Sequence, residues 1–169
     1  ISGLFTDKMP LNFFFAPLIL ATFPSARVIC LQRHPADTVL SNFKQLFSTR
    51  YLYYQYNYDI EWAANYTVEF FSYVDFCTGL LPPSRFKCVK YETVVSDFEN
   101  EVASLLDFCG LPFEHDCLAF DRNTSPVATA SSLQVRQPLY RSALARWRKY
   151  KDDLMPALDI LTEHGLMDR

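Results

Sequence analysis

A guanidinium at Arg33 and a hydroxyl at Ser41 flank a strand-to-helix junction, and that pairing suits a phosphate. Arg33 follows the apolar run Val28-Ile-Cys-Leu31, and Ser41 falls roughly two turns into the helix that Pro35 opens. The guanidinium offers a planar fork of charged donors and the hydroxyl one donor more. Other phosphate-seeking groups recur where strands end: Lys8 in Asp7-Lys8-Met9-Pro10, Tyr91 after Phe86-Lys-Cys-Val-Lys90, and a hydroxyl-rich loop carrying Thr129, Ser131, Ser132, Gln134 and Arg136. One such group is an ordinary surface charge, whereas their recurrence in one sheet architecture points to a site.

The elements that must position these groups read as an α/β fold. Ile1 to Thr6 is expected to be the tail of a strand, and Pro10 then opens a helix with Leu11, Phe14, Phe15, Leu18, Ile19 and Thr22 on one buried face. Val28 to Leu31 reads as a strand buried on both faces, and Asp37 brings negative charge to the positive end of the helix dipole that follows. Asp59 caps a long amphipathic helix in which Trp62, Tyr66, Phe70, Tyr73 and Cys77 recur at helical spacing, ended by Gly79 and Pro82-Pro83. Phe86 to Tyr91 is the next strand. Ser96-Asp-Phe-Glu99 is a capping box for a helix burying Val102, Leu105, Leu106 and Cys109, which Gly110-Leu-Pro112 stops. Strand alternating with helix is the rhythm of a parallel sheet. Strands with such crossovers place their carboxyl ends on one side, where open α/β sheets bind ligands.

Composition sets the outer bounds. The 169 residues, 50% hydrophobic and 21% charged, suit a single folded domain over 1–169. A net charge of −3 argues against a nucleic-acid partner, so an anion site must be local. The longest apolar stretch, Leu11 to Phe23, contains Asn12 and Pro17 and falls short of the roughly 20 residues that span a bilayer. The five cysteines include no Cys-x-x-Cys pair and the three histidines form no ligand cluster, so no metal is expected. The odd cysteine count leans towards a reducing, cytoplasmic compartment, with a Cys77–Cys88 bridge left open. Tyr51, Tyr53, Tyr54, Tyr56 and Tyr58 lie in one loop and read either as the lining of a substrate cleft or as structural covering. Arg141, Arg148 and Lys149 read as a solvated helix face.

Taken together, Thr6-Asp-Lys-Met-Pro-Leu-Asn-Phe13, the Arg-x-Pro-x-Asp-x-x-x-Ser pattern ending at Ser41, Lys90-Tyr-Glu-Thr-Val-Val95, Leu105 to Pro112 and Thr129 to Pro138 carry a resemblance that covers nearly the whole chain. In order and spacing they resemble the nucleotide-dependent sulfotransferases, in the branch that holds tyrosylprotein sulfotransferases and bacterial sulfotransferases attached to tetratricopeptide repeats. The resemblance implies a three-layer, P-loop-like sulfotransferase fold with a central parallel sheet. It also implies 3′-phosphoadenosine 5′-phosphosulfate as donor and a hydroxyl-bearing acceptor, on a protein tyrosine, a sugar or another alcohol. Matched residue by residue, Arg33 and Ser41 would hold the 3′-phosphate, Tyr91 would pack near the nucleotide, and Lys8 would stabilise charge on the leaving phosphate. Ser131, Ser132 and Arg136 would belong to a loop closing over the donor.

Relatives open with a Ser/Gly/Thr-rich loop that cradles the 5′-phosphosulfate, followed by a glutamate or histidine base. Neither is found here, and the chain opens on Ile1, so it is expected to be the C-terminal part of a longer enzyme. His34 sits where the family uses no base and reads as a bystander. The competing reading is a non-catalytic nucleotide-binding or interaction module of the same fold. A kinase-like phosphotransferase is disfavoured, since no Gly-x-x-x-x-Gly-Lys-Ser/Thr occurs.

Overall fold

A computed structural model describes residues 3–45, 47–48, 50, 52–122 and 144–168. A 3₁₀ turn at Pro10–Phe15 leads into α1 (Ala16–Thr22), followed by β1 (Val28–Gln32), α2 (Pro35–Phe43), a 3₁₀ helix at Leu52–Tyr58 and α3 (Ile60–Leu80). Next come β2 (Phe86–Lys90), α4 (Tyr91–Ser96) and α5 (Phe98–Cys109). After the 3₁₀ segments His115–Arg122 and Arg146–Tyr150, α6 (Met155–Glu163) ends the described chain.

β1 and β2 pair in parallel, with Val28 opposite Phe86, Cys30 opposite Cys88 and Gln32 opposite Lys90. The crossover between them holds α2 and α3, so both strands point their carboxyl ends the same way. Among the described residues the sheet has these two strands, flanked by helices. The strand expected over Ile1–Thr6 does not appear in its described part. Residues 3–9 are irregular and Leu4 and Phe5 are exposed, because a strand exists only through a neighbour's ladder and these residues join neither strand. Nor is β1 buried on both faces. Cys30 is buried, but Ile29 and Leu31 on the opposite face are 42% and 57% exposed. β1 therefore behaves as a one-sided strand with side chains alternating in and out.

α2 starts where expected, with Pro35 in its first turn, and His34 caps it by accepting the Ala36 N–H at its Nδ1 (3.2 Å). α3 also starts as expected, with the Asp59 carboxylate accepting the Trp62 N–H at 2.9 Å. Its buried stripe, however, is Ala63, Ala64, Thr67, Phe71, Val74 and Cys77, while Trp62 is 63% exposed. The helix is rotated about one residue, roughly 100°, from the face marked by the aromatics. The small Ala63 and Ala64 let α2 and α6 approach closely, which the bulky aromatics would forbid.

α3 thereby joins two cores. One contains Val39, Leu40, Phe71, Leu158 and Leu161 from α2, α3 and α6, and the other Ala16, Leu20, Cys30, Val74, Cys77 and Phe86 under the sheet. In α1 the buried residues are Ala16 and Leu20, and the expected Phe14, Phe15 and Leu18 are exposed. α5 begins within a residue of expectation, at Phe98, but its cap is Asp97. Ser96 instead donates to the Thr93 carbonyl and closes α4. Val102, Leu105, Leu106 and Cys109 are half-buried, since α5 lies at the margin of the molecule. Gly110 ends the helix at φ 71°, the left-handed conformation that favours glycine.

Candidate functional site

The carboxyl ends of β1 and β2 open into a cleft of about 210 Å³. Gln32 and Lys90, the last residues of the two strands, form its base. Arg33, His34 and Pro35 from the α2 junction, Phe71 and Asp75 from α3, and Glu92 from α4 form its walls. A parallel sheet dictates this position: both strands end on the same side, and open α/β sheets bind ligands outside their carboxyl ends.

Arg33 leaves β1 at the cleft edge with its guanidinium 5.2 Å from the centre of the Tyr91 ring and its Nη2 3.6 Å from Asp37 Oδ2. Stacking and ion pairing together orient a planar cation more tightly than either alone. The junction is pinned from both sides. The His34 N–H donates to Glu92 Oε1 at 2.9 Å, joining the β1–α2 turn to the β2–α4 turn, and Thr38 Oγ1 lies within hydrogen-bonding distance of the Arg33 and His34 carbonyls (3.3 and 3.2 Å). Asp37 is 1% exposed, and its Oδ1 accepts the N–H of Trp147 at 2.9 Å. The Trp147 ring stacks on His34 with centroids 5.5 Å apart and planes 16° from parallel.

Of the residues singled out in sequence, Arg33 and Tyr91 come together. Ser41 is exposed on α2, one turn beyond Asp37, and does not line the cleft. Lys8 is exposed in the irregular stretch before Pro10, where Asp7 Oδ2 accepts from Asn12 Nδ2 at 3.0 Å, and it too is outside the cleft lining. Ser131, Ser132 and Arg136 lie outside the described residues. The tyrosine-rich loop builds its own ring stack, with Tyr56 on Tyr66 at 3.7 Å and Tyr54 on Phe47 at 4.4 Å, and its described residues do not line the cleft. Burial pushes the Tyr66 phenol well above its ordinary value.

Sequence reading missed the partners Asp37, Glu92 and Trp147. The i, i+4 spacing of Arg33 and Asp37 is the one local signal of that pairing. Three residues before Arg33, Cys30 stands opposite Cys88 in the strand register. The neighbouring Cys30 thiol lowers the Cys88 thiol to about 6, while Cys88 and burial push Cys30 far up. The described cysteines are all free, so the Cys77–Cys88 bridge left open in sequence is not formed.

Residues 2–115 match the family model described as "Sulfotransferase family". An uncharacterized protein of Aquifex aeolicus (strain VF5) is 34% identical over 157 residues, covering 93% of this chain and 20% of that protein. The chain thus spans about a fifth of the length of this curated relative. Among the described residues no helix is long and apolar enough to cross a membrane, and no cluster of His, Cys, Asp and Glu is arranged to hold a metal. With a helix-flanked parallel strand pair, an arginine set at the strand end, and two thirds of its length matched, the chain belongs to the sulfotransferase family.

Proposed function

We propose that the cleft holds the nucleotide part of 3′-phosphoadenosine 5′-phosphosulfate and that the chain is a single sulfotransferase-like domain over 1–169 with a three-layer, P-loop-like fold, its parallel central sheet flanked by helices. The observation that carries this reading is Arg33, seated at the carboxyl end of β1, stacked on Tyr91 and opening onto the cleft between the parallel strand ends. Arg33 binds the 3′-phosphate at the cleft edge and Ser41 reaches it from the exposed side of α2, outside the cleft lining, and Tyr91 holds the Arg33 fork against the nucleotide. Lys8 stabilises the charge that builds on the bridging oxygen of the leaving phosphate. Ser131, Ser132 and Arg136 close over the donor. In the transfer an acceptor oxygen attacks sulfur, the bond from sulfur to the phosphate oxygen breaks, and 3′,5′-adenosine bisphosphate leaves. The acceptor proton passes to a general base. The acceptor is a hydroxyl of a tyrosine, a sugar or another alcohol, and the branch is that of tyrosylprotein and tetratricopeptide-linked sulfotransferases.

Calorimetric titration with 3′,5′-adenosine bisphosphate tests the assignment. The 169-residue chain is expected to bind it weakly and to show little turnover. Arg33→Ala and Ser41→Ala each remove a donor to an anion and should cost about 1.5–3 kcal/mol of binding. Unchanged affinity in both variants overturns the phosphate assignment.

A further inference from the structure

We propose that Asp37 is a positioning residue of the donor site. It aims the Arg33 guanidinium and ties it to the backbone of Trp147, so the grip on the 3′-phosphate depends on the seating of the 146–150 turn on α2. This rests on the reading of Arg33 as a phosphate ligand.

The two carboxylate oxygens of Asp37 are divided between these tasks. Oδ1 accepts the Trp147 N–H from 110 residues away, and Oδ2 faces Arg33 Nη2 at 3.6 Å. A carboxylate with a fully buried side chain is costly unless it is compensated. Here a strand-end guanidinium, a backbone donor on another element and the N-terminal dipole of its own helix provide the compensation. The same turn is seated a second time, by the stack of Trp147 on His34, whose backbone is held by Glu92. Arg33, His34 and the 146–150 turn therefore share one fixed frame, and Asp37 is the group that touches both the arginine and the turn.

Charge alone predicts the opposite sign. A carboxylate beside Arg33 lowers the positive potential of the cleft, so if Asp37 mattered only as a charge its neutralisation would tighten anion binding. If it positions Arg33, neutralisation weakens binding, and only for ligands that carry a 3′-phosphate.

The 169-residue chain and its Asp37→Asn, Arg33→Ala and double variants are titrated with 3′,5′-adenosine bisphosphate and, separately, with adenosine 5′-monophosphate. Asp37→Asn is expected to weaken the bisphosphate about tenfold and leave the monophosphate within about twofold, and the double variant should bind no more weakly than Arg33→Ala alone. Trp147→Ala, which keeps Asp37 but removes the ring seated on His34, should give a smaller loss of the same selectivity, and it decides the matter if Asp37→Asn does not fold. Bisphosphate binding that is unchanged or tighter, equal losses for both nucleotides, or losses that add in the double variant overturn the proposal. A wild-type chain with no preference for the bisphosphate overturns the assignment of Arg33 and the proposal together.

Discussion

At the scale of single residues, the Cys30–Cys88 pair shows how a strand register creates reactivity. Neither cysteine stands near the other in sequence, yet the parallel pairing sets them opposite each other, and the Cys30 thiol holds the Cys88 thiol below its ordinary value. Cys88 is lowered from 9.0 to about 6, so its stabilising contribution is fully present above 9 and is lost as pH falls through about 6. Cys30 is raised, so its contribution is present below the ordinary thiol value and lost at higher pH. Between those limits the folded pair keeps one proton where the unfolded chain keeps two, so this pair adds stability from pH 6 towards 9 and subtracts from it above. Iodoacetamide at pH 7 should alkylate half-buried Cys88 ahead of Cys30 and Cys77, as peptide mapping reads. Cys30→Ala, which removes the neighbouring thiol, should move the pH midpoint of that reaction up towards 9. A midpoint that stays near 6 in Cys30→Ala would refute Cys30 as the cause of the shift.

Between elements, the decisive contacts are made by long polar side chains that reach across loops. Arg85 donates through Nη2 to the carbonyls of Leu20 (2.8 Å) and Phe23 (2.6 Å) and through Nε to that of Ala26 (3.1 Å). These carbonyls lie at the end of α1 and in the turn into β1, so Arg85 fixes where the arginine-bearing strand begins. Arg85→Ala should lower stability by about 2–3 kcal/mol, read as a shift of the urea midpoint at constant slope. Arg85→Lys should recover only part of that, because an ammonium lacks the planar fork. The start signals of α2 and α3 were legible beforehand because prolines and capping aspartates act on their own neighbours. Which stripe of α3 is buried was not legible, because it depends on the small residues that meet α2 and α6.

Across the whole molecule, α6 completes a core that the first 115 residues share but do not close. Leu161 is fully buried against residues of α2 and α3, although α6 lies beyond the stretch matched by the family model. Leu161→Ala should cost about 2–5 kcal/mol, the range for an unrelaxed leucine cavity, measured by thermal or urea unfolding. The effect should reach the cleft, since Ala36, Val39 and Leu40 of α2 belong to the same core as Leu161. A loss below about 1 kcal/mol would show that α6 is not integral to this core.

The amino-acid sequence by itself determined the local grammar: a β-branched run, an arginine at its end, a proline-led helix, a capped long helix and a glycine stop after α5. These are legible because they are written in backbone dihedrals and caps spanning a few residues. Only the tertiary structure decided that Ile29 and Leu31 face outward, that residues 3–9 join no strand, and that Ser41 stands outside the cleft lining while Arg33 meets Tyr91. It also decided that Asp37 serves Trp147, a partner 110 residues away. Such pairings depend on how strands register and helices rotate against one another, and no local spacing encodes that. The arginine was therefore recognisable in sequence, but the frame that aims it was not.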